Sequence, residues 1–270
     1  MKSPLVSSDW LQKNVSDPNL VILDASQQDN KAGLVVDSDN LQIVGARIFD
    51  IKNEFSDATS PFPNTLLAPK EFQEKCRKLG VNTTSKIVVY DNLGIYTSPR
   101  VWWMFKIMGF DNISVLDGGL PDWLSKGYQV EAIQQQVFSK GNLVVNFDSE
   151  KIKYFQCLID NLDLKKFMVI DARSENRFKG ITPEPRQGLK SGHIPNSINI
   201  PFTEVLENGK FRTSEQLIKL FKSFDIENYP LVFSCGSGVT ACIVLLASDL
   251  VLHNKKALYD GSWTEWAQLV

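Results

Sequence analysis

Three stretches of this chain occur twice. Val21-Ile-Leu-Asp-Ala25 returns as Val169-Ile-Asp-Ala172, and Val44-Gly-Ala-Arg-Ile48 as Pro195-Asn-Ser-Ile-Asn199. Val115-Leu-Asp-Gly-Gly119 with Trp123 returns as Leu258-Tyr-Asp-Gly-Ser262 with Trp266. Asp24 and Asp171 stand 147 positions apart, and Asp117 and Asp260 stand 143 apart. Offsets this similar mark an internal duplication, so the chain folds as two copies of one unit.

Each copy alternates short apolar β-prone runs with helical patterns. In the first copy a short helix is expected around Trp10 and Leu11, and strands at 20–23, 45–50, 86–90 and 113–116. Helices are expected at 70–79, closed by Gly80, and at 99–108, and another begins at Leu120. In the second copy strands fall at 167–170, 197–200, 231–234 and 257–259. Thr213-Ser-Glu-Gln216 reads as a capping box opening a helix whose apolar face is Leu217, Leu220, Phe221 and Phe224. Residues 27–42, 52–68 and 179–192 read as irregular loops, and 131–147, with Gln134-Gln-Gln136, as a linker. The reading is α/β: two domains, 1–140 and 148–270, each a mainly parallel sheet flanked by helices.

Composition removes several functions. The 270 residues are 43% hydrophobic and 22% charged with a net charge of -2, which is ordinary for a globular protein and gives no polyanion or nucleic-acid footprint. No apolar run reaches the roughly 18 residues a membrane span needs, since the longest, near 243–252, is broken by Ser248 and Asp249. The first residues have no signal-peptide core, so a cytoplasmic protein without a membrane partner is expected. Four cysteines (Cys76, Cys157, Cys235, Cys242) without a Cys-x-x-Cys pair form no disulfide framework. Two histidines, His193 and His253, leave little for a metal site, and neither a metal nor an organic cofactor is expected.

The chemistry points to Leu231-Val-Phe-Ser-Cys235-Gly-Ser-Gly-Val-Thr240. A strand runs into a glycine-bearing loop led by a cysteine, and an apolar helix follows. Gly236 and Gly238 let the backbone curl, so that the N–H groups of Gly236, Ser237, Gly238, Val239 and Thr240 can form an anion nest at a helix start. That setting favours the thiolate, the reactive form of cysteine. Cys235 is therefore the candidate nucleophile, while Cys76, Cys157 and Cys242 read as structural. A phosphatase loop of the Cys-x5-Arg kind fails at Ala241, and a His-paired cysteine has no supporting pattern. A thiolate held by backbone groups, with no base and no second cysteine, suits transfer of a sulfur atom. Aligning Ile87-Val-Val-Tyr-Asp91 with Leu231-Val-Phe-Ser-Cys235 puts Asp91 at the cysteine's place in the first copy, which is expected to be non-catalytic. Asp24 and Asp171 read as turn ties, and His193 as structural.

Cys235-Gly-Ser-Gly-Val-Thr-Ala241 resembles the active-site loop of the tandem rhodanese family of sulfurtransferases, in the branch that uses 3-mercaptopyruvate. The resemblance includes Asp171-Ala-Arg173, Arg177-Phe-Lys-Gly180, Pro183-Glu-Pro-Arg186, Ser191-Gly-His-Ile-Pro-Asn-Ser197, Asp260-Gly-Ser-Trp263 and Ser98-Pro-Arg-Val-Trp-Trp-Met-Phe105. It implies two rhodanese-like domains and transfer of sulfur through a Cys235 persulfide. The acceptor would be a thiol, a thioredoxin-like protein or cyanide, and pyruvate is released. It also implies that Arg177 and Arg186 bind the donor's carboxylate. Thiosulfate-using relatives carry basic residues where this chain has Gly236-Ser237, so neutral Ser237 favours mercaptopyruvate. The alternatives are a thiosulfate sulfurtransferase or a non-catalytic rhodanese-like binding module. One departure concerns the histidine that family members place in the first domain to act with the loop serine. The matching segment here reads Gln42-Ile-Val-Gly-Ala46, so Gln42 is expected in its place.

Overall fold

A computed structural model describes residues 3–27, 34, 40–134 and 136–270. Most of the segment read as irregular, 28–33 and 35–39, and Gln135 of the expected linker lie outside the described residues. The chain forms two compact units. Unit 1 takes Met1–Asp57, Leu66–Asp148 and Asn208–Lys210, and unit 2 takes Ala58–Thr65, Ser149–Glu207 and Phe211–Val270.

Unit 1 runs β1 (Leu5–Val6), α1 (Ser8–Asn14), β2 (Leu20–Asp24), β3 (Leu41–Ile43), β4 (Arg47–Ile48), α2 (Pro69–Lys78), β5 (Lys86–Tyr90), α3 (Ser98–Ile107), β6 (Ile113–Leu116), α4 (Gly119–Ser125) and β7 (Val130–Ala132). Its main sheet has the order β1-β6-β5-β2-β4, parallel throughout. The strands read as unbroken apolar runs because helices cover the sheet. Leu11, Ile22, Val88, Tyr90, Leu116, Leu120 and Trp123 form one of the unit's buried clusters. Residues after β7 do not hang as a free linker. Gly141 N–H donates to the Arg77 carbonyl (2.8 Å), Leu143 N–H to Val81 (3.2 Å) and Asp148 N–H to Ile107 (2.8 Å), with Leu143 fully buried.

Unit 2 runs β8 (Ile152–Lys153), α5 (Phe155–Leu164), β9 (Met168–Asp171), α6 (Glu175–Phe178), β10 (Ser197–Asn199), the short strands β11 (Leu206–Glu207) and β12 (Lys210–Phe211, its first residue counted in unit 1), α7 (Ser214–Lys222), β13 (Leu231–Ser234), α8 (Ala241–Asp249), β14 (Lys256–Tyr259) and α9 (Ser262–Leu269). Its sheet order is β10-β9-β13-β14-β8, again parallel. Read from the other edge this is the order of unit 1, so the repeat seen in the sequence is a repeat of topology. The capping box on α7 is present: Thr213 Oγ1 accepts from Gln216 N–H (3.3 Å), and the Gln216 side chain accepts from Thr213 N–H (2.9 Å). Leu217 and Phe221 are the buried residues of that helix. Three helices were not read from the sequence, α5, the single turn α6 and α9. α8 is buried at eight of its nine residues.

The central strand fixes the site. Ser234 pairs with Asp171 in unit 2 just as Tyr90 pairs with Asp24 in unit 1. The residue leaving the strand is therefore Cys235 in one unit and Asp91 in the other. No helix of the described residues is long and apolar enough to cross a membrane, and no group of three or more His, Cys, Asp or Glu residues among them could hold a metal ion.

Candidate active site

Cys235 leaves the C-terminal end of β13 with 2% of its surface exposed. Helix α9 grips the backbone around it. Cys235 N–H donates to Ser262 Oγ (3.2 Å), and the Cys235 carbonyl accepts from Trp263 N–H (2.9 Å). The Gly236 carbonyl accepts twice from Thr264, from N–H at 3.0 Å and from Oγ1 at 2.6 Å. Gly238 has φ +77°, where a side chain is strained, and its carbonyl lies 3.3 Å from the buried Cys242 Sγ. The loop is thus fixed by its surroundings before any ligand arrives. Among the described residues the N–H groups of Gly236, Ser237, Val239 and Thr240 donate to no protein acceptor. Val239 and Thr240 are half-buried, whereas Gly236, Ser237 and Gly238 are buried.

Unit 1 shows what such a loop holds. Asp91 Oδ2 accepts from the N–H groups of Tyr96 (2.9 Å), Thr97 (3.0 Å) and Ser98 (2.9 Å) and from Ser98 Oγ (2.6 Å). Its Oδ1 accepts from Leu93 N–H (3.0 Å). The first copy's loop closes on its own carboxylate. The second copy's loop also joins the central strand to the next helix, with a sulfur at its head where the first has that carboxylate.

The two arginines converge on this loop. A Cβ built on Gly236 would sit 3.0 Å from Arg177 Nη2, so glycine leaves the space that guanidinium needs, and 3.8 Å from Arg186 Nη1, an ordinary contact that places the second guanidinium beside it. Arg177 stands on α6, and its fork meets a carboxylate that sequence reasoning passed over. Glu184, whose side chain is 2% exposed, accepts from Arg177 Nη2 (2.6 Å) and Nε (3.2 Å) and from Arg173 Nη1 (2.8 Å). Arg173 is fully buried and also donates from Nε and Nη2 to Asp171, the shortest contact being 2.6 Å. Burial alone would lower the Arg173 pKa, but Asp171 and Glu184 outweigh it and raise it. Two carboxylates face two guanidiniums in this network, and Arg186 brings a third guanidinium beside Ser237. Arg186 Nη2 donates to Ser237 Oγ at 3.3 Å.

A second residue at the serine was also missed. Asn64, from the Pro61-Phe62-Pro63 turn, donates from Nδ2 to Ser237 Oγ (3.0 Å) and to the Ser237 carbonyl (3.4 Å). It lies 173 residues from Ser237 in the chain. The turn is tied by Ser60 Oγ to Thr65 Oγ1 (2.7 Å) and by Thr65 Oγ1 to the Phe62 carbonyl (2.9 Å). Asn64 sits at φ +61°, a conformation asparagine tolerates.

Gln42, expected where relatives carry a histidine, has partners of its own. Gln42 is fully buried in unit 1, where Nε2 donates to Glu131 Oε1 (2.8 Å) and to the Ala46 carbonyl (3.3 Å). It holds β3 against β7, and the amide bonded to Ser237 belongs to Asn64. The other candidates fall at structural places. Asp171 and Asp24 each accept from the backbone two residues on, Arg173 and Ser26, at 2.9 Å. His193 stacks on Phe178 at 4.0 Å between centroids, with Nδ1 2.9 Å from the Phe178 carbonyl. His253 is exposed. Burial pushes the Cys76 thiol up, away from reactivity. Cys157 is exposed on α5.

Comparison with known proteins gives a concordant result. The rhodanese-like domain family matches residues 7–126 and again 155–269. The chain is 39% identical to a mouse 3-mercaptopyruvate sulfurtransferase over 272 residues, covering 97% of this chain and 91% of that protein. It is 36% identical to the 3-mercaptopyruvate sulfurtransferase of Escherichia coli K12, covering 97% and 94%. A thiosulfate sulfurtransferase of Cricetulus griseus matches at 36%, covering 97% and 91%. The crystal structure of the 3-mercaptopyruvate sulfotransferase SseA from Escherichia coli superposes with a TM-score of 0.84 at 33% identity, covering 97% and 99%. Overall identity barely separates the two donor classes, so the choice between donors falls to the loop.

Proposed function

The chain belongs to the rhodanese family, with two of its domains in tandem, and we propose from that premise that it carries sulfur from 3-mercaptopyruvate on Cys235 to a thiol acceptor. The observation that carries this reading is the pair of guanidiniums over Gly236, beside a cysteine whose loop has no charged side chain. A donor that is both a thiol and a carboxylate fits that arrangement. Arg186 and Arg177 meet the carboxylate, and arginine's planar fork suits it. The donor's sulfur is then presented to Cys235.

The Cys235 thiolate attacks the donor sulfur, forming an S–S bond. The C–S bond breaks and its electron pair moves onto the carbon as the enolate of pyruvate, which takes up the proton that the donor's thiol brought on its sulfur. The persulfide anion left on Cys235 is stabilised by the unused N–H groups of the loop, as Asp91 is stabilised in unit 1. A thiolate acceptor, small or thioredoxin-like, then attacks the outer sulfur. It leaves as a persulfide and Cys235 returns as the thiolate. Unit 1, whose loop is filled by Asp91, is the non-catalytic copy, and the domain from about residue 148 onward is the catalytic one. No metal or organic cofactor enters these steps.

The test is the ratio of kcat/KM for 3-mercaptopyruvate to that for thiosulfate, measured with cyanide as common acceptor. The reading expects a ratio of at least about 10, since thiosulfate has no carboxylate for the arginines. A ratio below one would make the protein a thiosulfate sulfurtransferase. Absence of transfer from both donors would leave the non-catalytic binding module. Cys235→Ser is expected to abolish turnover with either donor.

A further inference from the structure

We infer that Asn64 is a positioning residue for the reaction: it fixes the Ser237 hydroxyl so that its proton faces the substrate, which makes Ser237 a hydrogen-bond donor to the ketone oxygen of the donor molecule. This rests on the sulfurtransferase reading above.

A serine hydroxyl has one proton to give and two lone pairs that accept. Arg186 Nη2, at 3.3 Å, can only donate. The Asn64 amide has one donating and one accepting end, and its orientation is set by a second contact. The same atom lies 3.0 Å from Ser237 Oγ and 3.4 Å from the Ser237 carbonyl oxygen. A carbonyl oxygen only accepts, so the amide end facing both is the NH2. Ser237 Oγ therefore accepts from both neighbours, and among the described residues its own proton is given to no protein group. Ser237 is 8% exposed, so few water molecules compete for that proton.

The third partner follows from the chemistry of the donor. With its carboxylate at the arginines and its sulfur at Cys235, the group between them is the ketone. Its oxygen gains negative charge as the C–S bond breaks and the enolate forms. A preset donor at that oxygen lowers the barrier, because the interaction strengthens in the transition state. No base is required: neither Asn64 nor Arg186 can take the serine's proton, so Ser237 keeps it throughout. The left-handed conformation at Asn64 and the ties of its turn hold the amide without help from the substrate.

The experiment is a double-mutant cycle on Asn64→Gly and Ser237→Ala, measured as kcat and KM for 3-mercaptopyruvate. Glycine keeps φ +61° without strain and removes the amide alone. N64G is expected to lower kcat about 10-fold and to change KM less than about threefold. In the S237A background the same change is expected to cost less than about twofold, because the hydroxyl it aims is gone. Equal losses in both backgrounds would mean that Asn64 only supports the fold, and an N64G enzyme with wild-type kcat would also overturn the inference. A wild-type enzyme inert toward both sulfur donors would instead overturn the functional reading, so the two failures are distinct.

Discussion

Replacing Glu184 with glutamine keeps its shape and removes its charge. The wild-type carboxylate accepts three hydrogen bonds, at 2.6, 2.8 and 3.2 Å, from two guanidiniums that can only donate. Glutamine has one accepting oxygen, and its NH2 must face a guanidinium. At least one charge-assisted bond becomes a donor–donor contact in a site 2% exposed. Breaking a buried ion pair costs about 3–5 kcal/mol. Arg173 keeps Asp171, and the Arg177 side chain is 20% exposed, so the low end, about 3 kcal/mol, applies here. For a chain of this size that is a fall in Tm of roughly 6–12 °C. The effect on the site is separate. Arg177 loses the partner that holds its fork over Gly236, so KM for 3-mercaptopyruvate is expected to rise about 10-fold, with kcat within about threefold. Differential scanning calorimetry and initial-rate kinetics on Glu184→Gln read the two effects. A Tm within about 2 °C of wild type would refute the energetic argument. An unchanged KM would refute the claim that Glu184 sets Arg177 for the substrate.

Two more substitutions probe the loops. Thr264→Val removes the 2.6 Å hydroxyl contact to the Gly236 carbonyl and keeps the 3.0 Å N–H contact, so kcat/KM is expected to fall about fivefold with a loss near 1 kcal/mol. A wild-type rate would show that the loop does not depend on α9 for its shape. Asp91→Asn replaces an oxygen of the unit 1 carboxylate, which accepts from five donors, with an NH2. That is expected to cost about 2–4 kcal/mol in chemical denaturation, and a loss under about 0.5 kcal/mol would show that the carboxylate is not needed to close that loop.

Much of this architecture was legible in the sequence because it rests on periodic signals. Buried parallel strands are continuous apolar runs, as at β5 and β13, and duplication set them in the same order in both units. The cysteine loop was legible because glycines at Gly236 and Gly238 have few other uses between a strand and a helix. The site's polar partners were not legible. Glu184 and Asn64 act through side chains that meet distant residues, and neither has a periodic pattern around it. Asn64 lies in a turn whose prolines signalled only a loop, and its partner lies 173 residues on. The partner of Gln42 was not legible for the same reason: the sequence does not say where its amide points. In the structure it points at Glu131. The helix α6 is one turn long, too short for a helical period to show, yet it carries Arg177.

The central claim is that Cys235 carries the sulfur, and the most direct measurement is the mass of the protein after a short incubation with 3-mercaptopyruvate and no acceptor. The expected result is a gain of one sulfur atom, mapped to the peptide containing Cys235, absent from the Cys235→Ser variant and lost when a thiol is added. A gain that mapped to the exposed Cys157, or that persisted in the Cys235→Ser variant, would contradict it.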